Sequence, residues 1–138
     1  MSVAAIPTPT SVSDLMSRPV LTVETAESLW DAWQLLFVSG LRHLVVLDPD
    51  GSCLGVLSDR AILAEVPATQ AHLSTLQVSD VLAQVPMASI TPAESPAHAA
   101  QAMTAHAAEA LPVLDGSGRL VGIVTEADIV RWVASGQH

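Results

Sequence analysis

The chain has 138 residues, with five arginines, no lysine and a formal net charge of −9 at neutral pH. Such an acidic chain excludes a nucleic-acid backbone as an expected partner, because that binding rests on many cationic contacts. Half the residues are hydrophobic, but much of that share is alanine and no run approaches the length that spans a bilayer, so no membrane partner is expected either.

Residues 1 to 11, with Pro7 and Pro9, read as a flexible tail. They lack the basic start and apolar core of a signal peptide, so a cytoplasmic location is the expectation. Ser13-Asp14-Leu15-Met16 suits one helical turn, echoed later by Ser79-Asp80-Val81-Leu82. An extended piece follows at residues 19 to 23, with a counterpart at 87 to 90. A helix is expected over about residues 26 to 39, ended by Gly40 at C′. Its counterpart has Thr91 as N-cap, Pro92 at N1 and Glu94 at N3, a capping box with the favoured proline, and should run to about residue 107. Two strands come after each helix. Residues 43–47 and 53–57 flank Asp48-Pro49-Asp50-Gly51, and residues 111–114 and 120–124 flank Asp115-Gly116-Ser117-Gly118. Both connectors carry turn chemistry and read as β-hairpins. Closing helices span about residues 58–66 and 125–134, and residues 67–77 join the two halves. Cys53, the single cysteine, permits no internal disulfide or thiolate cluster and reads as a small buried hydrophobe.

The two halves are copies. Gly122-Ile123-Val124-Thr125-Glu126-Ala127-Asp128 matches Gly55-Val56-Leu57-Ser58-Asp59-Arg60-Ala61 at an offset of 67 residues. The same offset pairs Ala26-Glu27-Ser28 with Ala93-Glu94-Ser95, Asp48 with Asp115 and Gly51 with Gly118. One register held this long is an internal repeat, to be recognised before the fold is assigned. The domain limits read as 12–66 and 78–134. Each copy is β-α-β-β-α and too small to be comfortable alone, so the two should bury their apolar faces on each other. At the second strand-to-helix junction Thr125 takes the N-cap and Asp128 falls at N3. A hydroxyl and a carboxylate beside free backbone N–H groups can receive a sugar-phosphate. The same spacing is also a variant capping box that only starts a helix. Spacing leaves both readings open.

The His-Leu-x-Val strand, the Asp-x-x-Gly hairpin and the Gly-h-h-Ser/Thr-x-x-Asp ending (h hydrophobic), in this order and present twice, resemble the CBS domain family, named for cystathionine β-synthase. The resemblance covers about residues 12 to 133. It implies an α/β (α+β) fold in which two repeats pack sheet to sheet about a pseudo-twofold axis. It implies clefts between them that hold adenosine ligands such as AMP, ADP, ATP or S-adenosylmethionine, with no cofactor required. It also implies a regulatory module, here with nothing attached, which forms a homodimer and acts on an unknown target. In the second copy Thr125 matches the phosphate-side hydroxyl and Asp128 the ribose-binding carboxylate. Met87, Ala88 and Ser89 match the segment that reads adenine, and Ala110, Leu111 and Pro112 the opposite wall. In the first copy Ser58 keeps the hydroxyl, but Ala61 stands where the carboxylate should be. Asp59 points elsewhere on the helix, so that cleft reads as degenerate. Val20, Leu21 and Thr22, with His43, Leu44 and Val45, match its adenine walls.

Arg42 and His43 enter a strand facing the cleft region by the same resemblance, and either can meet phosphates of the other copy's ligand. A solvated edge charge and a structural histidine are the plainer alternatives. Arg60, in a helix first turn where a cation is unfavourable, points to a nearby anion or an acidic partner. His72, His98, His106 and His138 show no metal-ligand spacing, and no phosphate-binding glycine loop or nucleophile elbow occurs, so neither a metal nor an active site is read. Trp30, Trp33 and Phe37 form an aromatic stripe, usually core, part of which is available as a dimer interface. Two functions remain open: an adenosine-ligand sensor, or a dimerisation scaffold that kept the fold and lost the ligand.

Overall fold

The structure is a computed structural model that describes residues 11–65, 67–82 and 88–136. In chain order the elements are α1 (Val12–Leu15), β1 (Thr22–Glu24), α2 (Leu29–Ser39), β2 (His43–Leu47), β3 (Cys53–Ser58), α3 (Asp59–Leu63), α4 (Gln70–Leu73), α5 (Val78–Val81), α6 (Pro96–His106), β4 (Ala110–Leu114), β5 (Leu120–Thr125) and α7 (Glu126–Ala134).

In the first repeat β1 runs parallel to β2, and β2 pairs antiparallel with β3. In the second, β4 and β5 form the hairpin, and among the described residues Ile90 bridges in parallel to Val113, in the place of β1. Both hairpins carry a register shift at equivalent points, Val46/Leu47 and Val113/Leu114. Alternation along each strand builds three apolar layers. Val23, Leu44, Val46 and Leu57 face α2 and α3, whose Leu29, Ala32, Leu36 and Ile62 close the first core. Leu111, Val113 and Val124 meet Ala99 and Met103 of α6 in the second. The third lies between the sheets, where Val45 with Val20, Leu47 and Val56 meets Ala110, Ile123 and Leu120. The repeats are therefore packed sheet to sheet about a pseudo-twofold axis.

The short helices cross over. The Val12 and Ser13 N–H groups of α1 donate to Glu94 and Pro92 carbonyls of the second repeat, at 2.8 and 2.9 Å. At the equivalent place the Val78 and Ser79 N–H groups of α5 donate to Glu27 and Thr25 carbonyls of the first, at 2.9 and 3.1 Å. Val12 accordingly belongs to the second core and Val78 to the first. The joining segment carries α4, and its Leu73 is 1% exposed within the first core.

Several element limits differ from expectation. α2 starts at Leu29, with the Ser28 hydroxyl accepting from the Asp31 N–H at 3.0 Å, rather than near residue 26. α6 starts at Pro96 with Ser95 as N-cap, four residues after the expected Thr91–Pro92 start. Thr91 and Glu94 still make their reciprocal contact, Glu94 accepting from the Thr91 N–H at 2.6 Å, but in a turn outside the helix. The Pro92 and Glu94 carbonyls of that turn accept from α1, and Pro96 has no N–H to give the Pro92 carbonyl, so the turn does not run on into the helix. The extended piece at 19–23 shrinks to β1, and α3 ends at Leu63 rather than near residue 66. Gly40 ends α2 in the left-handed region, with φ at 73°, as expected. The aromatic stripe divides: Trp30 and Trp33 pack half-buried on the first core, while Phe37 is 79% exposed.

Candidate functional site

Each repeat ends its last strand on a hydroxyl that starts a helix. At the first junction the Ser58 hydroxyl accepts from the Ala61 N–H at 3.1 Å. At the second, the Asp128 carboxylate accepts from the Thr125 N–H at 2.8 Å and from its hydroxyl at 3.1 Å, while Thr125 caps the Asp128 N–H. The other Asp128 oxygen accepts from Arg131. Asp128 is 2% exposed with both oxygens engaged, so the geometry here is that of a closed capping box. Met16 packs against Gly122 of β5; a Cβ on that glycine would stand 3.2 Å from the Met16 Cβ and nearer still to the rest of its side chain.

A cavity of about 730 Å³ opens where the two repeats meet beside Ser58. Its walls are mainly apolar: Leu54, Gly55 and Val56 of β3, Leu82, Ala88, the stretch from Ala105 to Ala108, Ala110 and Pro112. The polar groups reaching it are His43, Ser58, His106 and Glu109. A second cavity of about 700 Å³ lies toward the hairpins, lined by Arg18, Pro19, Val20, Thr22 and Leu47, by Asp50 to Ser52, and by Ser117 to Val121.

This regroups the residues expected from the sequence. Ala88, Ala110 and Pro112, assigned to the Thr125–Asp128 cleft, line the cavity of Ser58 and His43 instead. The packing explains it: the walls of a cleft between face-to-face sheets come from both repeats, whereas the sequence assignment kept them mostly within one. Leu111 and Leu44 are fully buried on the helix-facing sides of their sheets, and Val45 lies between the sheets, so none of them forms a cavity wall. Leu21 likewise packs on the first core. Val20 and Thr22 reach the second cavity. Ser89 is exposed and lines neither cavity. Met87 lies outside the described residues.

Charges at the first cavity are tied across the repeats. Glu109, which sequence reasoning passed over, accepts from Arg60 through one oxygen, and its other oxygen stands 3.7 Å from the His43 Nε2. Arg60 thus has the acidic partner that its helix position called for. Arg42 pairs with Asp59 at 3.4 Å in its own repeat. The His43 Nε2 is buried without a hydrogen-bond partner. Burial pushes the His43 imidazole below its ordinary pKa, against the opposing pull of Glu109 and Asp59. The signal for Glu109 was present in the repeat itself: an offset of 67 sets it opposite Arg42, a reversal of charge at one structural position. Among the described residues no group of three His, Cys, Asp or Glu is placed to hold a metal, and no helix is long and apolar enough to cross a membrane.

A duplicated β-α-β-β-α unit, packed through its sheets with a cavity shared by both copies, defines the class of this molecule as a tandem α+β pair. The chain belongs to the CBS domain family, whose model matches residues 12–68 and again 78–135. It is 32% identical over 126 residues to a homoserine O-acetyltransferase of Methanococcoides burtonii, covering 91% of this chain and 25% of that protein. The chain thus spans about a quarter of the length of that relative. Among solved structures, the CBS-domain containing protein ATU1752 of Agrobacterium tumefaciens superposes with a TM-score of 0.80 at 25% identity, over 96% of this chain and 99% of that one. CBSX2, solved in complex with AMP, superposes with a TM-score of 0.74 at 27% identity, over 91% and 97% of the two chains.

Proposed function

We propose that this chain is a regulatory, non-catalytic module of the cytoplasm that senses an adenosine-type ligand in the cavity between its repeats, with AMP, ADP, ATP and S-adenosylmethionine as the candidates. The observation that carries the reading is the cavity itself. Its volume of about 730 Å³ is within the range of small-molecule sites, and its walls are apolar with a few convergent polar groups, the usual make-up of such sites. AMP bound to CBSX2 supports the adenosine class. His43, Ser58, Ala88, Ala110 and Pro112 hold the ligand in this reading, with Glu109 at the mouth. Thr125 and Asp128, which the sequence placed at the primary site, serve as a helix cap. The ligand acts as regulator by changing how firmly the repeats are held together, since its site is made of both.

A thermal-shift screen against adenosine, 5′-methylthioadenosine, S-adenosylmethionine, AMP, ADP and ATP tests this. At a hundredfold excess over its Kd a ligand stabilises the fold by about 2.7 kcal/mol. The expected result is a shift with at least one of them, abolished when Ala110→Trp fills the cavity. Millimolar concentrations of all six leaving the transition unmoved would reject the reading and favour a scaffold without a ligand.

The module acts as a homodimer. Phe37 and Val38 on α2 are 79% and 83% exposed, and Val130 on α7 is 65% exposed, large apolar surfaces for a soluble chain to leave in water. Light scattering at micromolar concentration should report a dimer, and Phe37→Asp a folded monomer. A wild-type monomer across that range refutes it.

A further inference from the structure

The cavity beside Ser58 meets its ligand with a carboxylate where the pseudo-twofold mate of that position carries a guanidinium. Arg42 and Glu109 each stand just before the first strand of their hairpin. The Asp59 N–H donates to the Arg42 carbonyl at 3.0 Å, and the Glu126 N–H to the Glu109 carbonyl at 3.0 Å, so the backbones are equivalent. The side chains are not. Arg42 finds an opposite charge in Asp59 of its own repeat. Glu109 finds Glu126 at that place, a like charge, and reaches across to Arg60 and His43 of the other repeat. Its carboxylate is thereby brought to the cavity wall.

Among the described residues, both arginines near this cavity are already engaged, while His106 lines its wall. Arg60 is bound to Glu109, Arg42 to Asp59, and the buried His43 is disfavoured as imidazolium. A phosphate entering here meets the Glu109 carboxylate, and neither nearby arginine is free of a carboxylate partner, in a chain of net charge −9. A vicinal diol is the opposite case: its hydroxyls donate, and a carboxylate accepts with charge-assisted strength.

We propose that Glu109 makes this cavity select adenosine-type ligands without a phosphate (a nucleoside, its thioether or a sulfonium) over nucleotides. The inference rests on the adenosine reading given above and adds the ligand's charge to it. Arg60 tempers the effect by neutralising part of the carboxylate, and high salt weakens it.

Titration calorimetry with adenosine, 5′-methylthioadenosine and AMP, on the whole chain at low ionic strength, tests it. In the wild type AMP should bind about tenfold more weakly than adenosine. Glu109→Gln removes the repelling charge and frees Arg60, so the AMP-to-adenosine ratio of Kd should fall to about one. Arg60→Gln leaves Glu109 unneutralised, and the ratio should rise above that of the wild type. Opposite movements in two conservative variants cannot come from a general loss of structure. AMP binding as tightly as adenosine in the wild type, or a ratio unmoved in either variant, overturns the selectivity while leaving the adenosine site standing. Absence of binding by all three compounds in wild type and variants overturns the adenosine reading and this inference together.

Discussion

Replacing Asp128 by alanine separates a helix cap from a ligand acceptor. The carboxylate takes two hydrogen bonds from Thr125, at 2.8 and 3.1 Å, and is 2% exposed. Its removal leaves the half-buried Thr125 N–H without a side-chain partner and α7 with one cap contact instead of a reciprocal pair. Loss of a cap costs about 1 kcal/mol, and a charge-assisted bond that is partly shielded from water adds about as much again. The Arg131 contact adds little, because that side chain is 70% exposed and its pairing competes with solvent and salt. The expected loss is therefore about 2 kcal/mol, read as a lower urea midpoint at unchanged slope. Asp128→Asn keeps an acceptor and should lose about half as much. Binding of adenosine ligands at the Ser58 cavity should be unaffected once the fold is saturated with native protein. An Asp128→Ala variant as stable as the wild type, or one that is stable and no longer binds ligand, refutes the cap reasoning and returns Asp128 to the ligand.

Leu73→Ala should destabilise by about 2–5 kcal/mol, because the side chain is 1% exposed in the first core; a loss under 0.5 kcal/mol in chemical denaturation would mean that α4 is only a tether. Folding holds the His43 pKa below its ordinary value, so the unfolded chain takes up that proton first as pH falls. Its contribution to stability is fully present above about pH 6.5 and is lost as pH drops from there toward the lower folded-state value. Stability measured between pH 7.5 and 5.5 should therefore fall less steeply in His43→Gln than in the wild type, and identical slopes would contradict the assignment.

Local chemistry was readable in the chain and long-range opposition was not. Thr125 as N-cap, Asp128 at N3 and Gly40 at C′ depend on neighbours within one turn, and each sits where its residue type directs. The start of α6 does not depend on neighbours alone. Thr91-Pro92 and Ser95-Pro96 both offer an N-cap followed by proline; Pro96, with no N–H for the Pro92 carbonyl, disfavours the earlier start, and α1, eighty residues earlier in sequence, supplies N–H groups to the Pro92 and Glu94 carbonyls. Cleft membership has the same character. Strand alternation assigns Leu44 and Leu111 to the helix side once the sheets are known to pack face to face, but a one-repeat assignment cannot tell that Ala88 and Pro112 will stand opposite Ser58. Glu109 was missed for a related reason: its partners Arg60 and His43 lie in the other repeat.

The crossing of α1 and α5 bears on how such a chain is put together. Each short helix leaves the repeat that follows it in sequence and completes the other one's core, as exchanged arms do in a domain-swapped dimer. Read that way, the chain is a swapped dimer of a single unit whose two copies have been joined end to end. Half of it expressed alone would have an arm with nowhere to dock and a core short of its Val12 or Val78, and it would recover both by pairing with another half. A break in the backbone between the repeats is therefore survivable in a way that trimming the first arm is not: the former leaves every contact in reach, while the latter opens the core of the repeat farthest from the cut.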